Sequence, residues 1–348
     1  MPLSLTKINH KTFLINSLFS FIPISFIAGN LILNVNILFF IIFSITFYRK
    51  DLFILNFNIL DKLVLIFFAY TIFTGILNSF YFKSENSPDN FPVLIKTILY
   101  LRFLVFYFVI RVLIYKNIIN FKPFFISCSL CTYFVCLDLI YQLNFGKDIF
   151  GYRSLDPRRL SGPFGENEAI AGSYLQRFSV FTFFLIPFFF KNKNKNYLYL
   201  FIIFSLILII IGLIISGNRM PLVLFIILIV GVFSFYKKMR KFLWVSLLSL
   251  LVIGIISAKL SPNIYNHYHS FKSKTFLIVE FVATVIIKDK KSKYLEDKDN
   301  IIEWYKYSVN VNGKVIPLNS NYIKEFNSGF QTWLEHKYIG GGIKSFRY

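Results

Sequence analysis

The stretch Arg158-Arg159-Leu-Ser-Gly-Pro-Phe-Gly-Glu166-Asn167-Glu-Ala-Ile-Ala-Gly172 is polar and glycine-punctuated, and it stands between long apolar runs. Arginine suits a diphosphate, because it stays charged, donates two parallel hydrogen bonds from a planar fork, and sheds water more readily than an ammonium. Adjacent arginines are costly near a bilayer unless they grip an anion, so the pair marks a candidate functional site. A second such stretch follows at Ser216-Gly217-Asn218-Arg219-Met220-Pro221. Arg158, Arg159 and Arg219 are the candidate anion ligands, and snorkelling to lipid headgroups is the plainer alternative for any one of them. Gly162, Gly165 and Gly172 would let the backbone approach a ligand closely, while Pro163 stiffens the turn. Glu166 and Glu168 are candidates for a general base if one is partly desolvated. Pairing with the neighbouring arginines is their blander role.

These residues must be positioned by the apolar runs around them. Hydrophobic residues make up 56% of the 348-residue chain and charged residues 16%, and the mean hydropathy is +0.60. Apolar runs long enough to cross a hydrocarbon core of ~30 Å recur along the chain, so the expected class is an all-α integral membrane protein of about nine spans. The spans are placed at 12–28, 31–48, 63–81, 98–115, 123–143, 174–190, 197–215, 220–236 and 242–259. Residues 1–259 thus form a transmembrane bundle whose lipid bilayer is a partner, and 260–348 a soluble region. The net charge of +21 resides largely between spans, where it orients the chain and points away from nucleic acid as a partner. Lys191, Lys193 and Lys195 form one basic cluster, and Lys237, Lys238, Arg240 and Lys241 another, with two spans between them. A common cytoplasmic side follows, and it puts the loops at 144–172 and 216–219 on the outer face. Phe276 to Ile287 is apolar but too short to span, and reads as a surface helix.

Other reactive residue types carry less. Cys128, Cys131 and Cys136 fall in one apolar segment with no second ligand pair nearby, and read as small core residues. His267, His269 and His336 lack a third obvious ligand, so no metal and no cofactor is assigned. Asp138 and Arg102 lie at similar depth in neighbouring spans, and a buried ion pair between them is expected.

Taken in order, Arg159-Leu-Ser-Gly-Pro-Phe-Gly-Glu-Asn-Glu, Ser216-Gly-Asn-Arg219 and Trp333-Leu-Glu-His-Lys-Tyr-Ile-Gly340-Gly-Gly342-Ile-Lys-Ser-Phe346 resemble the bacterial O-antigen ligase and O-antigen polymerase superfamily. The resemblance covers about residues 150–348. It implies a metal-independent, GT-C-like membrane glycosyltransferase of lipopolysaccharide biosynthesis in the inner membrane. Its donor would be an undecaprenyl-diphosphate-linked oligosaccharide, and its acceptor a lipid A core or a second lipid-linked glycan. Arg159 and Arg219 fall on the diphosphate-binding arginines of that family, and Gly340 and Gly342 on its glycine motif in a large periplasmic loop. Tyr338 stands where the family often has proline, and Asn218 and Met220 replace small residues around the second arginine. The resemblance also implies a continuation with a His-containing motif and further spans, so the chain is expected to be a fragment whose activity is incomplete. A flippase or transporter of lipid-linked polysaccharide is the alternative from another class. An inactive truncated protein or a structural scaffold is the third.

Overall fold

The computed structural model describes residues 10–49, 57–80, 91–155, 159–166, 168–189, 195–235, 240–260, 308–311 and 314–317. Two compact units emerge, one of Met1–Phe53 with Val109–His269, the other of Ile54–Phe108 with Ser270–Tyr348. In the first unit, helices α1 (His10–Ile27) and α2 (Asn30–Tyr48) pack together. They turn at Gly29, whose φ of 114° favours glycine. Buried Asn36 of α2 donates to the Leu18 carbonyl of α1 at 3.2 Å, so a polar residue that weakens the apolar run ties the pair.

Helix α4 (Phe91–Tyr115) runs through both units, and α5 (Phe121–Phe145) organises the first. Asn120 caps α5 by accepting the Lys122 N–H at 3.0 Å. At its far end Gly146, with φ 73°, donates its N–H to the Gln142 carbonyl at 2.8 Å. Asn16 of α1 brackets the turn before α5: its amide donates to the Ile118 carbonyl at 3.0 Å, and its carbonyl accepts the Asn120 N–H at 2.6 Å. Half of the apolar window of α5 is buried, against 22% for α2, which makes α5 the core helix of this unit. Small side chains let α9 (Lys195–Ile215) approach it closely, and a Cβ on Gly212 would sit 2.8 Å from Cys136 Sγ. The three cysteines are accordingly buried core residues with free thiols.

The expected span at 174–190 is not one helix. It comprises α6 (Ala171–Phe178), α7 (Val180–Phe183) and α8 (Ile186–Phe189). Pro187 has no N–H for the carbonyl four residues back and disfavours helix at the residue before it. The amides of Phe184 and Leu185 bond three residues back instead, to Phe181 and Thr182 at 3.2 and 3.3 Å. Helices α10 (Arg219–Phe235) and α11 (Arg240–Leu260) complete the unit, both in contact with α9.

In the second unit α3 (Ile59–Phe80) lies antiparallel to the first part of α4. Asp61 Oδ1 accepts the Tyr107 hydroxyl at 2.7 Å, Phe68 stacks on Tyr100 at 5.4 Å, and a Cβ on Gly75 would meet Thr97. Strands β1 (Ser308–Val311) and β2 (Lys314–Pro317) form an antiparallel hairpin with Val309 opposite Ile316, a departure from an all-helical chain.

The protein is a helical, multi-pass membrane protein. Among the described residues, five helices are long and apolar enough to cross a bilayer, within α2, α3, α4, α5 and α9, while the apolar helices at Arg219–Gly231 and Leu247–Ile256 are shorter. Large side chains such as Leu31, Ile59, Leu200 and Trp244 are exposed on these helices, as a lipid-facing surface requires.

Candidate functional site

The loop between α5 and α6 is held from the end of α5. Asp138 and Gln142 lie one turn apart on one helix face. Asp138 Oδ1 accepts the Ile149 N–H at 2.8 Å. Gln142 uses both ends of its amide: Oε1 accepts the Gly162 N–H at 2.9 Å, and Nε2 donates to Ser161 Oγ at 3.3 Å. Asp148 closes a turn on itself, its Oδ1 accepting the Tyr152 N–H at 2.6 Å. Asp138 and Asp148 are buried, and Oδ2 of each has no hydrogen-bond partner among the described residues. Asp138 is thus engaged by the loop backbone through Oδ1. Arg102 belongs to the second unit, where its guanidinium lies 4.9 Å from the Phe103 ring.

The loop then folds over α6. The Ser154 hydroxyl donates to the Arg159 carbonyl, and the Leu155 N–H to the Glu166 carbonyl at 3.4 Å. Gly162 adopts φ 58°, and a Cβ there would sit 3.4 Å from Leu139. Its N–H is already taken by Gln142, so the visible role of Gly162 is to seat the loop on α5 rather than to receive a ligand. Phe164 packs on buried Tyr174 at 5.4 Å between ring centroids, and the Tyr174 hydroxyl donates to the Pro23 carbonyl of α1 at 3.1 Å. Arg159, Glu166 and Glu168 are exposed. A base role for either glutamate therefore rests on desolvation by bound substrate. Arg158, Gly340 and Gly342 lie outside the described residues.

The second stretch caps α9 and starts α10. Ser216 Oγ donates to the Leu213 carbonyl at 2.8 Å, Gly217 turns with φ 66°, and the Asn218 carbonyl accepts the Leu222 N–H at 3.4 Å. Arg219, half-buried, is the first residue of α10. The two stretches that the sequence singles out meet here. A Cβ on Gly172 would lie 2.6 Å from Ser216 Oγ and 2.7 Å from Asn218 Cβ, so only glycine permits this approach. Asn218 Nδ2 completes the junction by donating to the Ala169 carbonyl at 2.9 Å. Gly172 therefore lets one loop approach the other, where the sequence reading gave it close approach to a ligand. Of the two residues that hold the arrangement together, Gln142 carries no motif signal beyond being a polar residue at a span end, and Asn218 stands in the sequence only as a departure from the small residues around the second arginine.

The stretches that carry exposed Arg159 and half-buried Arg219 thus meet through Ala169, Gly172, Ser216 and Asn218, at the starts of α6 and α10. No protein-family model, curated protein or solved structure matches the chain.

Proposed function

We propose that the protein is a membrane glycosyltransferase of surface-polysaccharide assembly, polymerising or ligating undecaprenyl-diphosphate-linked glycan on the periplasmic face of a bacterial inner membrane. The observation that supports this reading is the junction of the two arginine-bearing stretches, Gly172 against Ser216 and Asn218. In the reaction an acceptor-sugar hydroxyl attacks the anomeric carbon of the donor, the bond to the diphosphate breaks, and lipid diphosphate leaves. Arg159 and Arg219 stabilise the charge that builds on the leaving group, and Arg158 is a further candidate ligand. Loss of one such preorganised donor typically costs about a hundred- to a thousandfold in rate. A nearby carboxylate, Glu166 or Glu168, takes the acceptor's proton once substrate covers it. Polymerase and ligase differ only in the acceptor.

The test is charge geometry. Arg219→Lys keeps the charge but loses bidentate donation, so it should fail nearly as badly as Arg219→Ala. The assay is conversion of labelled undecaprenyl-diphosphate-linked glycan by protein reconstituted in vesicles. Full activity of the lysine variant at normal protein levels would remove the diphosphate role of Arg219.

One observation favours a second reading, a flippase of the same lipid. The segment α6 to α8 is discontinuous, and Ser179 and Thr182 within it are buried, with hydroxyls that have no hydrogen-bond partner among the described residues. Broken helices at membrane depth are a feature of transporters. Movement of labelled lipid across the vesicle bilayer without change of its glycan would select that reading.

A further inference from the structure

We infer that Asn218 is a positioning residue whose side-chain amide sets Arg219 against the arginine loop. The consequence for ligand binding rests on the glycosyltransfer reading; the geometry does not. Asn218 meets the loop through a donor, Nδ2 to the Ala169 carbonyl at 2.9 Å. Only an N–H satisfies a carbonyl at that distance, since the amide oxygen turned the other way would face another acceptor. Ala169 lies two residues before the start of α6, beside Glu168. At the other end, the Asn218 N–H reaches Ser216 Oγ at 3.4 Å and its carbonyl accepts the Leu222 N–H. Its backbone is therefore the start of α10, and any shift of it carries Arg219 along. Gly172 leaves no slack on the inner side, because Asn218 Cβ already lies 2.7 Å from where a Cβ on that glycine would be. The contact thus sets the register of the two stretches, and a misplacement of ~1 Å is enough to cost a site much of its function.

The experiment has two readouts. Spin labels at Leu155→Cys and Met220→Cys, both exposed positions, report the distance between the stretches. The background replaces Cys128, Cys131 and Cys136 by alanine. Binding of undecaprenyl diphosphate to protein in nanodiscs is measured without labels. Asn218→Ala removes the amide, and Asn218→Asp keeps its shape while removing the donor. Both should broaden or shift the distance distribution and weaken binding by roughly tenfold, the scale of one lost hydrogen bond.

A wild-type distance distribution in Asn218→Ala overturns the inference. A broadened distribution with unchanged affinity overturns the consequence for ligand binding, as does weaker binding in the aspartate variant alone, which is charge neutralisation at Arg219. Should the unsubstituted protein fail to bind undecaprenyl diphosphate, the glycosyltransfer reading falls. The label distances then decide by themselves whether Asn218 holds the register.

Discussion

Gln142 shows how much of the site depends on a residue without chemistry of its own. Its Oε1 is the acceptor for a buried Gly162 N–H, and Gln142→Ala would leave that donor unsatisfied at a cost of about 1–3 kcal/mol. The loop should then open, and limited trypsin digestion at exposed Arg153 and Arg159 should be faster than in the parent protein. Gln142→Glu keeps the acceptor and loses only the donor to Ser161 Oγ, so its digestion should fall between the two. Equal rates in all three would show that the clamp does not hold the loop. The arginines and glycines were legible in the sequence because such residues are unusual between apolar runs. Gln142 was not, since a polar residue in the last turn of a span reads alike whether it faces water or a loop. Glu166 and Glu168 were found by type, and only the fold shows that they are exposed.

Among the elements, α6 is the one that brings the arginine loop to the start of α10, and its glycine makes this possible. Gly172→Ala would place a methyl 2.6 Å from Ser216 Oγ and 2.7 Å from Asn218 Cβ, overpacking that typically costs about 1–3 kcal/mol. Gly212→Ala meets Cys136 Sγ at 2.8 Å and Leu175 Cδ1 at 2.9 Å, and belongs with it. Gly231 in α10 has nothing within 4 Å, so Gly231→Ala should be neutral or mildly stabilising through helix propensity. Thermal unfolding in detergent should therefore rank the first two below the parent and the third at or above it. An unchanged midpoint for Gly172→Ala would mean that the two stretches are not in contact. The helical segments were legible from hydropathy, and five of the expected spans are, among the described residues, helices long and apolar enough to cross a bilayer. The break after Phe183 was not, because averaging over an apolar window hides a proline whose effect is on backbone hydrogen bonding.

For the molecule as a whole, the side on which the arginines lie is argued from the lysine clusters, and it is open to a direct test. Ser161 and Ser216 are fully buried and unsuited to labelling, whereas Leu155 and Met220 are exposed. Single cysteines at Leu155 and Met220 should react with a membrane-impermeant thiol reagent in intact spheroplasts. A cysteine at exposed Asn117, in the turn before α5, should not. The opposite pattern would invert the topology and remove the periplasmic site. The tail motif around Gly340 lies outside the described residues, and its place in the site is carried by the resemblance alone.

The bracket that Asn16 forms around the turn before α5 has a consequence for the order of synthesis. Its partners, Ile118 and Asn120, lie 102 and 104 residues further along the chain. At roughly 5–20 residues per second, the ribosome takes about 5–20 s to reach them. Helix α1 thus gains this bracket only after α2, α3 and α4 have been made. Nascent chains halted before Ile118 carry α1 without its bracket, and those halted beyond α5 carry it closed.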